Sequence, residues 1–108
     1  MNKKEVIYIC AETYADANER GNSIIAGLKA NGVVDIRGFK TKDEFQIYLK
    51  NCIIDILVRK DNDDWIRGKC CNMAYGFSHD ECLYLTRNKS DGPTIPLLDY
   101  IIKIEKGR

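Results

Sequence analysis

Acidic and amide side chains, the only Trp and a Gly are concentrated in one short stretch of the chain. Residues Asp61–Phe77, with the sequence DNDDWIRGKCCNMAYGF, follow the most apolar segment of the protein, Ile53–Arg59. Carboxylates accept hydrogen bonds from hydroxyl groups, and an indole ring stacks on a flat ligand. Because ligands of parallel α/β sheets bind just past the carboxyl ends of the strands, this stretch is the first candidate for a site.

A second polar loop, Ala11–Ala15, follows the first apolar segment, Glu5–Cys10, and carries Glu12 and Tyr14. If the two loops face each other, carboxylates can hold ribose hydroxyls, aromatic rings can stack on a base, and helix N-termini can hold a phosphate. The residues that the longer loop would contribute are Asp61, Asp63, Asp64 and Trp65. This set is typical of a nucleoside or nucleotide site. The alternative is that the acidic run is a solvated turn and that Trp65 is a packing residue.

The chain lacks the common cofactor motifs. It has neither G-x-G-x-x-G nor G-x-x-x-x-G-K-[ST], so it carries no dinucleotide fingerprint and no phosphate-binding P-loop. The loop after the first strand also lacks the hydroxyl- and glycine-rich run of a flavin phosphate site. The acidic run is not followed by the Gly and Glu that complete a calcium loop. We therefore expect no cofactor and no metal.

The composition is that of a single globular α/β domain covering residues 1–108. Seventeen basic and sixteen acidic residues give a net charge of +1, and the basic residues are scattered, so we expect no nucleic-acid partner. No apolar run approaches the roughly 20 residues that cross a bilayer, so we expect no membrane partner. The five Cys follow no disulfide or zinc spacing, which is typical of reduced thiols in a cytoplasmic protein.

Strand-like and helix-like segments alternate along the chain. The predicted strands are Glu5–Cys10, Val33–Arg37, Ile53–Arg59 and Glu81–Thr86. The predicted helices are Asp16–Ala30, a segment from Thr41 to about Cys52, Gly68–Phe77, and a last helix that begins at Pro93 or Pro96. This alternation predicts a three-layer α/β/α sandwich, flavodoxin- or Rossmann-like, around a four-stranded parallel sheet of order 2-1-3-4. In that order, the loops after the first and third strands border one crevice.

This layout resembles that of the nucleoside 2-deoxyribosyltransferases and the related deoxynucleotide N-hydrolases. The matching pieces are IYIC at Ile7–Cys10, IIDILV at Ile53–Val58, the acidic loop, Gly68, NMAYG at Asn72–Gly76 and ECLYL at Glu81–Leu85. The resemblance implies that any enzymatic activity is that of an N-glycosidase or deoxyribosyltransferase. It also implies that Gly68 and Asn72 belong to the ligand-binding set.

Asn72 occupies the position of the nucleophilic Glu of that family. An amide forms hydrogen bonds but does not form a glycosyl ester with the sugar. The resemblance therefore implies a nucleoside- or nucleotide-binding protein in which N-glycosidic activity is weak or lost. Glu12 and Asn72 are the candidates for any catalytic role, and Asn72→Glu is expected to create or raise hydrolase activity.

The alternative function is that of a small α/β protein-interaction module without a small-molecule ligand. For either function we expect a homodimer, because the last predicted helix is apolar over more of its circumference than one sheet face covers. The apolar residues of that helix are Ile95, Leu97, Leu98, Ile101, Ile102 and Ile104. The resembled family is also oligomeric, which implies the same association.

Overall fold

The computed structural model describes residues 4–62 and 64–107, in which five strands and three helices form one α/β unit. The strands are β1 (Glu5–Ala11), β2 (Arg37–Lys40), β3 (Glu44–Tyr48), β4 (Cys52–Val58) and β5 (Met73–Tyr75). The helices are α1 (Tyr14–Ala30), α2 (His79–Leu85) and α3 (Leu97–Lys106).

The sheet is mixed, with the strand order β2-β3-β4-β1-β5. Its centre is parallel, because β1 pairs in parallel with both β4 and β5. β3 is antiparallel to β2 and to β4. The predicted four-stranded parallel sheet of order 2-1-3-4 is therefore wrong. Only the parallel pairing of the first apolar strand with Cys52–Val58 is retained from it.

The predicted helix after Thr41 is a strand. The Thr41 hydroxyl accepts hydrogen bonds from the backbone N of Asp43 and of Glu44, each at 3.2 Å. The Thr41 N–H also donates to the Glu44 carbonyl at 2.9 Å, which closes a tight turn between β2 and β3. Beyond the turn, Phe45 and Ile47 are buried and their neighbours are half-buried, which is the two-residue period of a strand.

Two further segments differ from prediction because of positive backbone φ angles. Asp35 has φ 59°, which interrupts the predicted strand Val33–Arg37, and the observed strand begins only at Arg37. The predicted helix Gly68–Phe77 is bounded by two glycines in the same left-handed region, with φ 78° at Gly68 and 80° at Gly76. Only the three residues of β5 between them are regular, and they extend the sheet beside β1.

The predicted strand Glu81–Thr86 is part of helix α2. Ser78 and Glu81 form a reciprocal capping box: the Ser78 hydroxyl accepts from the Glu81 N–H at 3.2 Å, and the Glu81 carboxylate accepts from the Ser78 N–H at 2.9 Å. This cap satisfies two backbone donors at the start of the helix. Cys82 and Leu85, three residues apart, are the buried side of the helix.

The two faces of the sheet are covered unequally. α1 and α3 pack on one face, where they bury the main core. On the opposite face, α2 and the segment around Ile66 cover the β1–β5 side in a smaller cluster. On the β2–β3 side of that face, Arg37 and Phe39 are exposed and Gln46 and Tyr48 are half-exposed. We call these four residues and the groove around them the open sheet face.

The last helix does not expose the apolar surplus that the homodimer prediction assumes. Ile101 and Ile104 are buried, and Leu97, Leu98 and Ile102 are half-buried against the core. Among the described residues, the exposed large apolar side chains are Tyr14, Val34, Phe39 and Tyr84, and none of them belongs to α3. Within the same residues, no helix has the length and the hydropathy needed to cross a bilayer.

Candidate functional site

Arg59 is the centre of a charged cluster at the carboxyl edge of the parallel strands. Its guanidinium donates two hydrogen bonds of 3.1 Å to the two carboxylate oxygens of Glu81. Its Nε lies 3.6 Å from a carboxylate oxygen of Glu12, and its central carbon lies 5.1 Å from the centre of the Trp65 ring. The segments that follow β1 and β4 therefore do meet at this edge.

The charges of this cluster are largely balanced internally. The hydrogen bonds from Arg59 hold the pKa of Glu81 below its usual range, and the same pair raises the pKa of Arg59. Burial raises the pKa of the nearby Cys10 thiol, an effect that Arg59 partly opposes. Glu12 is the accessible member, since 73% of its side chain is exposed. The paired groups are held in place by fixed partners, which is typical of a structural ion-pair network.

The N-termini of α1 and α2, which lie at this edge, are already occupied by carboxylates of the protein. At α1, Asp16 accepts a hydrogen bond from the Glu12 N–H at 3.1 Å and pairs with Arg20 at 3.0 Å. At α2, Glu81 completes the capping box. A negative side chain at a helix N-terminus satisfies the partial positive charge there and repels an anion. These two helix N-termini therefore do not favour the phosphate that the sequence predicts for them.

The other residues that the sequence predicts for the site do not converge on one point. Tyr14, at the start of α1, is 51% exposed, and Asp61 is exposed. Asp64 pairs with Arg67 at 3.9 Å, and Trp65 stacks on Phe77 with 5.8 Å between ring centres. The other two predicted residues are Gly68, whose N–H donates to the Tyr84 hydroxyl at 3.1 Å, and Asp63, which lies outside the described residues.

Asn72 lies at the opposite, amino edge of the sheet. Its backbone N–H donates to the Val6 carbonyl at 2.8 Å, and its side-chain Oδ1 accepts from the Val6 N–H at 2.8 Å. Glu12 is six residues beyond Val6 along the extended β1, a separation of roughly 20 Å at about 3.3 Å per residue. The structure therefore does not bring Glu12 and Asn72 into one crevice.

A groove of about 670 Å³ lies on the open sheet face, away from the predicted loops. Phe39 and Tyr48 form its aromatic wall, with ring centres 5.4 Å apart and planes at 88°. Three cations border it: Lys4, Arg37 and Lys50. The remaining lining residues are Asp35, Gln46 and Leu49.

The cations of the groove differ from those of the carboxyl edge in having no ion pair. The five salt bridges among the described residues are Arg20–Asp16, Arg59–Glu12, Arg59–Glu81, Lys60–Asp43 and Arg67–Asp64. All five join residues at the carboxyl edge or in the loop that leaves it. In the described part of the chain, Lys4, Arg37 and Lys50 take part in none of them. Unpaired cations beside aromatic rings are the features that attract an anionic aromatic ligand.

The groove is absent from the sequence prediction because the segment from Thr41 to about Cys52, which contains Tyr48, is predicted there as a helix, and Phe39 has no role in that prediction. The signal that identifies it is alternation. In β3, Phe45 and Ile47 are buried in the core, so Gln46 and Tyr48 point to the opposite face. The antiparallel register then places Arg37 opposite Tyr48, and Phe39 opposite Gln46, on that same face.

Asp55 is a buried carboxyl beside the groove, only 7% exposed. Gln46 donates to its Oδ2 at 3.4 Å, and its Oδ1 has no hydrogen-bond partner in the described part of the chain. Burial, reinforced by the neighbouring Glu44, raises the pKa of Asp55 to about 7. Its partner across the strands is Tyr8, whose pKa is raised to about 12 by burial and by Asp55. These groups form a covered polar cluster on the same side of the sheet, beside the open sheet face.

Comparison with known proteins finds no family model, no curated protein and no solved structure that matches this chain. The resemblance to the nucleoside 2-deoxyribosyltransferases thus stays a prediction from the sequence.

Proposed function

We propose that the protein binds a nucleotide in the groove of the open sheet face. The observation that carries the proposal is the position of Phe39 and Tyr48 among three cations, Lys4, Arg37 and Lys50, that take part in none of the ion pairs between described residues. The ligand class is the one that the sequence predicts. The proposed site is different: it lies on the open sheet face and not at the carboxyl edge of the parallel strands.

Each part of a nucleotide has a counterpart in the groove. The Phe39 ring is 53% exposed and offers a surface on which a base can stack. Gln46 offers an amide that can donate to or accept from a base edge. Arg37 can bind a phosphate through two parallel hydrogen bonds, and the lysines act as additional point charges. A phosphate-free nucleoside would use only the aromatic and amide part of the site.

We also propose that N-glycosidic cleavage is weak or absent. Cleavage by the mechanism of the resembled family needs a carboxylate at the sugar. Asp55 is the buried carboxyl nearest to Gln46, but it is covered on the same face beside the groove, and burial raises its pKa. Asp35 also lines the groove, but it is a single exposed carboxyl without a described base or acid partner. Binding without turnover is the activity that this arrangement supports.

The test is titration calorimetry with a nucleoside and its 5′-monophosphate, supported by thermal shift. We expect the monophosphate to bind more tightly and to raise the melting temperature with concentration. Arg37→Gln should weaken the monophosphate by about ten-fold and leave the nucleoside nearly unchanged. Phe39→Ala should weaken both ligands. Arg20→Gln, which removes a paired surface cation, is the matched control and should change neither affinity.

Two results would overturn the proposal. One is a protein whose melting temperature no nucleotide changes even at millimolar concentration. The other is equal loss of nucleotide affinity in Arg37→Gln and Arg20→Gln, which would mean that the groove has no special role. Release of free base at an ordinary enzymatic rate would contradict the second part of the proposal only.

The second candidate function is protein interaction through the free edge of the sheet. β2 is an edge strand whose four residues are all exposed, and the preceding Val34 is 72% exposed. Such an edge can pair with a strand of a second copy, which would give a homodimer. Light scattering that finds a dimer, and a monomer for Val34→Lys, would support this candidate. A wild-type monomer at high micromolar concentration would contradict it.

A further inference from the structure

We propose that the groove is one end of a longer basic channel that binds single-stranded nucleic acid. The inference rests on the proposed nucleotide site and extends its ligand from one nucleotide to a short polymer. It replaces the expectation of no nucleic-acid partner, which was based on the charge of the whole chain. Over the whole chain the charges nearly cancel. Among residues 4–62 and 64–107, however, the ion pairs and the cations that take part in none of them lie at different edges of the sheet.

The strand register makes the surface continuous. Arg37 pairs with Tyr48, Tyr48 with Ile53, and Ile53 with Val6. Side chains at paired positions share one face, so this row crosses β2, β3, β4 and β1 on the side opposite α1. At about 4.8 Å between strands, the row spans roughly 14 Å.

A second cavity, of about 720 Å³, lies at the far end of this row. Val6 and Ile53 line it, and Lys4 lines both this cavity and the groove. Two more cations, Arg87 and Lys89, border its outer side. Across the two cavities there are therefore five basic residues, against Asp35 in the groove and Glu5 in the second cavity.

The second cavity also offers groups for hydrogen bonding and stacking nearby. Asn72 and Thr86 line it, but the Asn72 Oδ1 accepts from Val6 and the Thr86 hydroxyl is already bonded to Cys82 and Ser90, so the Asn72 amide nitrogen is the one of these groups that a ligand can use. The Arg87 guanidinium lies 5.2 Å from the centre of the Tyr84 ring and donates to the Tyr84 carbonyl at 2.7 Å. Tyr84 is 43% exposed. In the described residues Arg87 has no carboxylate partner, so its charge is available to a phosphate.

The positive charge of the channel and its exposed aromatic rings indicate which ligand it binds. A single strand carries a phosphate at every step and an unpaired base between phosphates, which matches a surface that combines cations with aromatic and amide side chains. A duplex keeps its bases stacked inside and would leave the Phe39 and Tyr48 rings without a partner. The channel therefore fits a single strand of a few nucleotides, with one base at the aromatic pair and the backbone following the cations.

The experiment is fluorescence anisotropy with labelled deoxythymidine and uridine oligomers of one, three, six and nine nucleotides, at several salt concentrations. We expect affinity to rise with length until the channel is filled and then to level off. The dissociation constant should rise with salt, because each neutralised phosphate releases counterions. The double variant Arg87→Ala/Lys89→Ala should weaken the hexamer by about ten-fold and leave the mononucleotide unchanged. Lys60→Ala, whose cation pairs with Asp43 at the opposite edge, is the matched control.

The outcomes separate this inference from the proposed function. A mononucleotide that binds as tightly as the hexamer overturns the channel and leaves the nucleotide site in place. A protein that binds neither overturns both. Equal binding of a hairpin duplex and a single strand of the same length would overturn the assignment to a single strand. Melting curves of the variants would show that a loss of affinity is not a loss of fold.

Discussion

Asn72 extends the pairing between β5 and β1 with its side chain. Its backbone N–H donates to the Val6 carbonyl and its Oδ1 accepts from the Val6 N–H, both at 2.8 Å. The side chain thereby provides the acceptor that a strand backbone would provide one position before β5 begins. Its amide is a structural group at the amino edge, and the carboxylate of Glu12 lies beyond the other end of β1.

The structure reverses the expected effect of Asn72→Glu. The sequence predicts that this substitution creates hydrolase activity, whereas we expect none, because the new carboxylate would lie roughly 20 Å from Glu12 along β1. We expect a loss of about 1 kcal/mol in unfolding free energy, since the longer side chain cannot accept from Val6 with the same geometry. Chromatographic detection of free base checks the activity, and urea unfolding checks the stability. Asn72→Asp, which keeps an acceptor at Oδ1, is the control. Release of free base by the Asn72→Glu variant would contradict this expectation and would support the site predicted from the resemblance.

Among the partly exposed charged residues, we expect Arg59 to contribute most to the free energy of unfolding. Arg59→Gln breaks both hydrogen bonds to Glu81, and we expect it to cost about 2 kcal/mol at pH 7. The pKa of Glu81 is lowered in the folded protein, so the wild-type contribution is present above about pH 4.5 and is lost as the pH falls through the lowered pKa. The variant should therefore lose less stability on acidification. Chemical unfolding at pH 7 and pH 3 measures both effects.

The control for Arg59 is Arg20→Gln, which breaks an i,i+4 pair on the exposed side of α1. Such pairs contribute about 0.3–0.5 kcal/mol. If the two substitutions had equal effects at pH 7, the cluster around Arg59 would be no more than another surface ion pair.

The sequence predicts well those elements in which several independent sequence features indicate the same secondary structure. In β1, α1 and β4, residue preference, apolar period and burial all favour the same structure. The errors occur where a local signal is ambiguous. Thr41 followed by Glu44 has the spacing of a capping box, but in the structure the hydroxyl closes a hairpin turn. The spacing of Phe45, Tyr48 and Leu49 fits a helix, while that of Phe45, Ile47 and Leu49 fits the observed strand.

Alternation in β3 shows which of its side chains face the groove, but it does not show which other segments complete the groove. Its residues come from β2, from β3 and from Lys4 at the beginning of the described chain, and the register that joins them is set by the hairpin. Ser78 and Glu81, by contrast, carry a readable capping box that identifies α2. The apolar run from Cys82 to Leu85 favoured a strand in the prediction, although three-residue spacing of its buried positions fits a helix equally well.

We expect that replacing Gly21 by Ala, a better helix former, does not stabilise the protein. A Cβ there would lie 2.5 Å from two ring carbons of Phe45, which is buried at 3% exposure, so the ring or the helix would have to shift. Ala in place of Gly within a helix normally stabilises by about 1 kcal/mol, whereas overpacking costs about 1–3 kcal/mol. We expect Gly21→Ala to lower the melting temperature. Ser23→Ala, at an exposed position of the same helix, should leave it nearly unchanged. A higher melting temperature for Gly21→Ala would show that α1 and β3 pack more loosely than the structure indicates.

Asp55 should make the protein less stable as the pH rises. Its folded-state pKa is raised to about 7, whereas an unfolded Asp titrates near about 3.9. Between these values the folded protein holds a proton that the unfolded chain releases, so stability is full below about pH 4 and falls as the pH rises through 7.

Asp55→Asn removes this titration and keeps the side-chain volume and an acceptor for Gln46. We expect the variant to be more stable than the wild type by about 2 kcal/mol at pH 8, because a buried unpaired charge is no longer formed. At pH 4 the two proteins should be nearly equal. Urea unfolding across this range measures the difference, with the exposed Asp61→Asn as the control that should follow the wild type. A wild-type stability that is constant from pH 4 to pH 8, or an equal slope in Asp55→Asn, would mean that the Asp55 carboxyl ionises in the folded protein without cost. The polar cluster beside the open sheet face would then be hydrated, and the groove would extend past Gln46 toward Asp55.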